Sequence, residues 1–484
     1  MNPSPPAPAA PVDVDLLITN AFVITMDAER HVVPDGAVAI RERRIERVGP
    51  AREVGSQVRA KRTIDARGGQ VHPGFVECHA HVTFHLLRGA FGDTCSLSEF
   101  SAAQRPFVEK MEDEIEHSSA LLAGVEMLRN GTTCFLEAGT AFSPDAAAEA
   151  AEAVGIRALL GDPFIQDVTP AGGGQGARDG RLASRSLEQS LDMLGGQLKR
   201  NRDPDALVRG HVALIGMGTA TDELALAAKA LADREGVVLN QHQSCEHADA
   251  AADDTRMGRH PLVHQEEIGL LGANCTFAHM NVLREDELDP IVRSGLSIAW
   301  CPAASMIWGF GGTFRGHHAA LHARGANIAL GCDISNFANS FDIGQEAYLA
   351  VLTAREQHQR RDILDAGDAL AMATINGARA VGLEHMIGSI EPGKRADLVI
   401  RALDVPEQFP LNNMITELVY SSGAKSIHSV VVDGRVVLEE RQPTRVDAVS
   451  VYRRAERAAR ATLDRGARDG APAWPLLDRV RSAR

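Results

Sequence analysis

The chain has 484 residues, with 50 Lys and Arg against 64 Asp and Glu, a formal net charge of −14, and 44% hydrophobic residues. That length exceeds one small core and predicts a large domain with a satellite, while acidic residues spread along the chain exclude nucleic acid and anionic membrane as expected partners. Seven cysteines, odd in number and without a Cys-x-x-Cys pair, argue against a disulfide framework and for a cytoplasmic protein.

Residues 1–12 are rich in Pro and Ala, without a basic or apolar segment, and read as a disordered lead-in that is neither signal peptide nor membrane span. From Asp13, short β-like runs follow at Val14 to Val23, Gly36 to Ile40 and Arg44 to Val48. Similar runs return at Ala396 to Ile400, Ser426 to Asp433 and Arg435 to Leu438, with Asp433-Gly434 as a hairpin turn. The two flanks, 13–70 and 385–445, are therefore expected to form one small β domain.

Between them, residues 71–384 alternate apolar strands with helices. The first strand is expected to end at His81, apolar at Val71, Phe75 and Val76, with Pro73-Gly74 marking where the chain turns in from a preceding element. The others are Gly131 to Leu136, Ile156 to Leu160, Leu207 to Ile215, Val237 to His242, Cys275 to His279, Leu296 to Cys301 and Ile328 to Asp333. Helical patterns span Glu112 to Arg129, Pro144 to Val154, Leu182 to Arg200, Thr221 to Glu235, Glu285 to Arg293 and His317 to Arg324. Eight strands interleaved with helices predict an α/β fold, a (β/α)8 TIM barrel. Thr169 to Asp179, with its run of glycines, is a candidate lid. Residues 446–484 form a C-terminal helical extension, basic and alanine-rich from Tyr452 to Ala461. It is read as a solvated helix whose Ala and Leu463 face packs on the barrel or on a neighbouring subunit.

The chemistry sits where strands end. His79 and His81 are two residues apart, so on an extended strand both imidazoles point the same way. His242, His279 and Asp333 each end an apolar strand on the same side of the predicted barrel. Three neutral imidazoles, His79, His81 and His242, with the Asp333 carboxylate suit one divalent metal, Zn²⁺ or Fe²⁺, with a position left for water. Such a metal would acidify that water, Asp333 would carry the proton, and His279 would orient the nucleophile or stabilise the charged intermediate. The fourth strand holds no lysine to bridge two metals, which favours a single ion. Wall residues are proposed from the loops after strands: Phe84 and His85, Glu137, Gln166 and Asp167, and Met306, Trp308 and Phe310. Packing is the competing reading for the last three, although Trp308 beside Gly309, Gly311 and Gly312 would suit a flat or apolar substrate.

The sequence resembles the amidohydrolase superfamily over about residues 13–445, in its branch of atrazine and triazine chlorohydrolases and cytosine, guanine and S-adenosylhomocysteine deaminases. The likeness rests on Val71-His72-Pro73-Gly74-Phe75-Val76-Glu77-Cys78-His79-Ala80-His81, Leu87-Arg88-Gly89, Asn130-Gly131-Thr132-Thr133, Phe277-Ala278-His279 and Trp300-Cys301-Pro302. It continues through Ala329 to Asp333, Leu370 to Ala380, and Ile387-Gly388-Ser389-Ile390-Glu391-Pro392-Gly393-Lys394-Arg395-Ala396-Asp397. It implies a TIM barrel with a small β-sandwich built from both chain ends, a small-molecule substrate, and a homo-oligomer, expected to be a dimer. It also implies metal sites at His79, His81, His242 and Asp333, with His279 beside them.

Two departures bear on the reaction. Relatives in this branch carry a proton-shuttling glutamate three residues after the histidine that ends the fifth strand, where this chain has Cys245. Glu246 comes next and could reach the site through a local bulge. Leu214 to Thr219 also lacks the Pro-His pattern of nucleoside deaminases, which argues against a purine nucleoside. The expected activity is metal-dependent hydrolysis of a non-peptide C–N bond, deaminase-like. The alternatives are an amide, urea, carbamate or thiocarbamate hydrolase that needs no such glutamate, or a ligand-binding barrel with weakened catalysis.

Overall fold

The structure, a computed structural model, describes residues 10–91, 94–169, 180–334 and 337–463. The candidate lid falls almost wholly outside the described residues, as do 1–9 and 464–484 of the predicted lead-in and extension.

Both chain ends meet in one nine-stranded sheet. Val12–Ile24 lies at its centre, antiparallel to Val32–Arg41 and parallel to Val58–Asp65 and to Gln70–Pro73. Leu398–Arg401 joins antiparallel to Gln70–Pro73, followed outward by Ile427–Val432 and Arg435–Glu439. Alternation on the central strand buries Val14, Leu16 and Ile18 on one side, the period-two signature of a strand with one covered face. Helix Ala51–Gln57 and strand Val58–Asp65 were not anticipated from the sequence. The strand's run Val-Arg-Ala-Lys-Arg-Thr-Ile-Asp is mostly polar, and it is recruited by pairing with Val12–Ile24 and by the packing of Val58, Ala60 and Ile64.

The intervening chain forms two parallel sheets. Phe75–Ala80, Thr132–Glu137, Arg157–Leu160 and Val208–Gly210 make the first, and Val212–Gly216, Leu239–Gln243, Cys275–His279, Ser297–Trp300 and Asn327–Leu330 the second. Their side chains are almost all buried, as in parallel sheets covered on both faces. Only His211 separates Val208–Gly210 from Val212–Gly216, so one sequence run joins the two sheets. At the other seam Ala80 and Asp333 form a parallel bridge, with Asp333 N–H donating to His79 O at 2.8 Å.

The expected turn lies at Gly74, which takes the chain out of the terminal sheet, at Gln70–Pro73, into the parallel one, at Phe75–Ala80, and the structure corrects three other sequence expectations. A Cβ at Gly74 would lie 2.0 Å from the Thr133 hydroxyl, so the crossing is built on its bareness. The terminal sheet thus reaches Pro73 rather than stopping at residue 70. The run Leu207 to Ile215 is broken at His211. The helix expected over Leu182 to Arg200 shrinks to Leu187–Met193, opened by the Ser186–Gln189 capping box and closed before Gly195, whose φ of 89° is left-handed.

The C-terminal helix, Ala448–Thr462, packs on helix Asp113–Arg129 of the same chain. Val451 and Ala455 are buried there, Arg454 donates to Ser118 Oγ at 2.9 Å and Arg129 to Tyr452 Oη at 2.6 Å.

Candidate metal centre

The strand-tip residues converge. His79 and His81 flank the end of Phe75–Ala80, and their Nε2 atoms lie 3.3 Å apart. His242, on Leu239–Gln243, brings its Nε2 to 3.2 Å from that of His81. Asp333 Oδ1 is 3.3 Å from His81 Nε2 and 3.8 Å from His79 Nε2, while its Oδ2 faces His279 Nε2 at 4.0 Å. All five side chains are buried.

Two of the imidazoles, those of His81 and His242, are aimed by a neighbour. Gly139 and Thr140 N–H groups and the Thr140 hydroxyl all donate to the Glu137 carboxylate, the hydroxyl at 2.5 Å. With its proton so used, the Thr140 oxygen accepts from His81 Nδ1 at 2.8 Å. His242 Nδ1 donates to Ile215 O at 2.7 Å. Both rings are thereby fixed as neutral tautomers with a bare Nε2 lone pair turned to the centre. His318, flat against Trp300 at 4.5 Å, donates to His279 O at 2.8 Å. Buried Glu77 accepts from the N–H groups of His79 at 2.9 Å and Cys332 at 3.0 Å, tying the first strand tip to the last.

Backbone strain also collects at the centre. His279 and Asp333 have φ of 71° and 67°, left-handed values for side-chain-bearing residues. Such conformations cost of order 1–3 kcal/mol each and persist where surrounding contacts impose them. Burial holds the His279 imidazole down at about 3 and raises the Asp333 carboxyl to about 6; it also raises Glu137 to about 7 and Glu77 to about 8.

The bare lone pairs of His81 and His242, facing each other at 3.2 Å, repel unless a positive charge lies between them. The ligand atoms of His79, His242 and His279, and those of His79, His81 and Asp333, lie within 4.8 Å of one another. Neutral imidazole with one carboxylate is the donor set of a divalent transition metal, and the residues fit one. Among the described residues with such grouping, the other cluster, Asp27, Glu29 and His31, is partly or fully exposed.

A cavity opens beside the centre. His81, His242, His279 and Asp333 form its floor, and Phe84, Ile334 and Phe337 line the adjoining wall. Facing residues come from helix Leu97–Glu109, through Phe100, Gln104, Arg105, Val108 and the carboxylate-bearing Glu109 among others, and Thr140, Arg181 and Leu182 also line the cavity. Sequence reading missed this helix although its signal was present: Ser96 and Glu99 form a capping box.

The other predicted wall residues lie elsewhere. His85 turns away from the cavity, its Nε2 2.9 Å from Glu126 and its ring stacked on Phe341 at 5.1 Å, because the turn Val82–Leu87 rotates successive side chains apart. Gln166 stands behind the lining and donates to Leu182 O at 2.5 Å. Trp308 also stands behind, packed on Phe337 at 4.4 Å and Phe100 at 5.4 Å. Phe310 is buried beside it and Met306 is exposed. Asp167 binds Thr221 at the start of a helix, accepting from its N–H at 2.8 Å and its hydroxyl at 2.6 Å.

Glu246 is not among the residues that line the cavity. The ladder between Leu239–Gln243 and Cys275–His279 ends at the pair Gln243 with His279, and the chain then turns at Ser244, whose φ of 46° is left-handed, before reaching Glu246. Glu246 flanks helix His247–Met257, half-buried. Cys245 is buried in an apolar cluster with Phe84, Ile215, Met217 and Cys301, and it too is absent from the described lining.

The amidohydrolase family model matches residues 71–437. The chain belongs to the amidohydrolase family. A 5-methylthioadenosine/S-adenosylhomocysteine deaminase of Desulforudis audaxviator is 33% identical, over 93% of this chain and 99% of the relative. A zinc-bound adenosine deaminase from Xanthomonas campestris superposes with a TM-score of 0.85 at 28% identity, covering 93% and 99% of the two chains. Zinc-complexed atrazine chlorohydrolase from Arthrobacter aurescens shares the fold, with a TM-score of 0.81 at 23% identity over 92% and 100%. As an amidohydrolase with relatives of these kinds, the chain is a metal-dependent hydrolase acting on C–N bonds other than peptide bonds. No helix among the described residues is long and apolar enough to cross a membrane.

Proposed function

We propose that this amidohydrolase is a mononuclear zinc enzyme that deaminates a small heterocycle. Its two parallel sheets would close as a (β/α)8 barrel capped by a β-sandwich from both chain ends. The observation that carries the proposal is the set of mutually facing atoms, Nε2 of His79, His81 and His242 with Asp333 Oδ1, at 3.2–3.8 Å. A divalent ion held there supplies Lewis acidity and an acidified water.

The chain's own residues do the rest. Asp333 presents one oxygen to the His79–His81 pair and the other to His279, which suits it to take a proton on one side and release it on the other. His279, fixed by His318, orients the nucleophile and stabilises developing negative charge. Phe84, Phe100, Ile334 and Phe337 hold the substrate body against the floor and exclude water.

One observation favours a second reading. Cys245 stands at the position of the relatives' glutamate, and the carboxylates among the described lining residues, Asp333 and Glu109, come from other elements than the strand that carries His242. An amide, urea, carbamate or thiocarbamate, polarised at its carbonyl oxygen, would need no such donor. The deciding experiment measures metal content by mass spectrometry and then ammonia against amine release over a panel of cytosine, guanine, 5′-deoxyadenosine, 5-methylthioadenosine and simple carbamates. Ammonia from any heterocycle supports deamination, and amine from carbamates alone supports the second reading. Stoichiometric zinc with no turnover across the panel supports a binding barrel. None of the seven cysteines forms a disulfide, which supports a cytoplasmic location. The dimer is tested by light scattering.

A further inference from the structure

Where the parallel strands begin, a second concavity lies between the terminal sheet and the loop ahead of Val208. It is lined by Glu42, Arg43, Arg44, Asp205, Arg395 and Arg435. Four guanidinium groups thus face two carboxylates, in a chain whose formal charge is −14.

The arrangement places like charges against one another. Arg44 and Arg395 are opposite partners in an isolated antiparallel bridge, a pairing in which like charges destabilise. Gly434 packs so closely that a Cβ on it would meet the Arg43 Cα at 2.8 Å, which brings the turn carrying Arg435 onto the turn carrying Arg43 and Arg44. Asp205 is already paired with Arg395, and Asp433 with Arg43 and Arg395 at 3.3 Å each. Among the described residues neither Arg44 nor Arg435 has an ion-pair partner. Arg395 is 3% exposed, and its Nε has no hydrogen-bond acceptor.

We propose that this concavity binds a small anion through a phosphate group. Planar guanidinium forks match phosphate oxygens in pairs. Arg44 and Arg435 would close on the anion from two turns of the sheet, with Arg395 as the buried floor. Because Asp205 belongs to the loop leading into Val208–Gly210, the bound anion would fasten the terminal sheet to the parallel one.

The test is thermal unfolding of the full chain at constant ionic strength, with chloride exchanged for inorganic phosphate, pyrophosphate or ADP. A saturable rise in the midpoint of about 2–4 °C at ligand well above its Kd is expected, and it is lost in the R44E/R435E double variant. Both side chains are exposed, so that variant keeps its turnover, and each rise is read against the variant's own unliganded midpoint. A larger rise with ADP than with pyrophosphate identifies a nucleotide as the source of the phosphate, and equal rises identify a free phosphate compound. A rise matched by citrate, a rise retained in the double variant, or no rise with any of the three anions overturns the proposal.

Discussion

The two ends of the parallel strands carry buried polar clusters of opposite kinds. Where the strands begin, Arg157 is 1% exposed and fully engaged, its Nε and Nη2 3.0 and 3.1 Å from the Asp397 carboxylate and its Nη2 3.4 Å from Asp433. Around Arg157 each charge meets its opposite, and that cluster needs nothing added. Where the strands end, bare imidazole nitrogens face one another and a carboxylate, on a backbone forced into left-handed conformations at two residues. A cluster of opposites is a fastening, whereas a cluster of like donors is a site that a ligand completes.

Four substitutions break or sharpen that contrast. Asp333→Asn should have the largest effect, lowering kcat by about 10³-fold or more through loss of the proton carrier, with circular dichroism unchanged; retained turnover would remove Asp333 from the chemistry. Arg157→Met strands the buried Asp397 and should cost about 3–5 kcal/mol of stability in urea unfolding, while zinc stoichiometry in the protein that remains folded stays at wild type. Thr140→Val deprives His81 Nδ1 of its acceptor and should weaken metal affinity by about 10–100-fold in a chelator competition. Glu246→Gln should do least, shifting stability by no more than about 0.5 kcal/mol and leaving kcat as it was; a fall of about 100-fold would show that Glu246 swings to the substrate as an acid.

The contrast extends to how legible each cluster was. Period-two geometry on a strand aimed His79 and His81 together from the sequence alone, and His242, His279 and Asp333 stood out because each closes an apolar run. Arg157 gave no such signal: its partner Asp397 is 240 residues away in the chain and meets it only across the junction of the two sheets. The cavity wall was half legible. Phe84 comes directly after the first strand tip, but Phe100 and Val108 come from a helix that sequence reading passed over, despite the Ser96–Glu99 capping box. His85 and Trp308 were placed by nearness in sequence, and the rotation of a short helical turn and the packing of three aromatic rings sent both behind the wall.

The sequence by itself determined the alternation of strands and helices, the return of the chain end to the sheet begun by its start, the turn at Gly74, and the set of polar residues that close the apolar strands. These arise from local periodicity and from residue types that one chemistry requires. Only the tertiary structure decided that His211 breaks what read as a single strand, that Gly74 is wedged against Thr133, and which nitrogen of His81 and His242 is bare. The last two depend on contacts between residues distant in the chain: Thr133 against Gly74, and Thr140 and Ile215 against the two imidazoles.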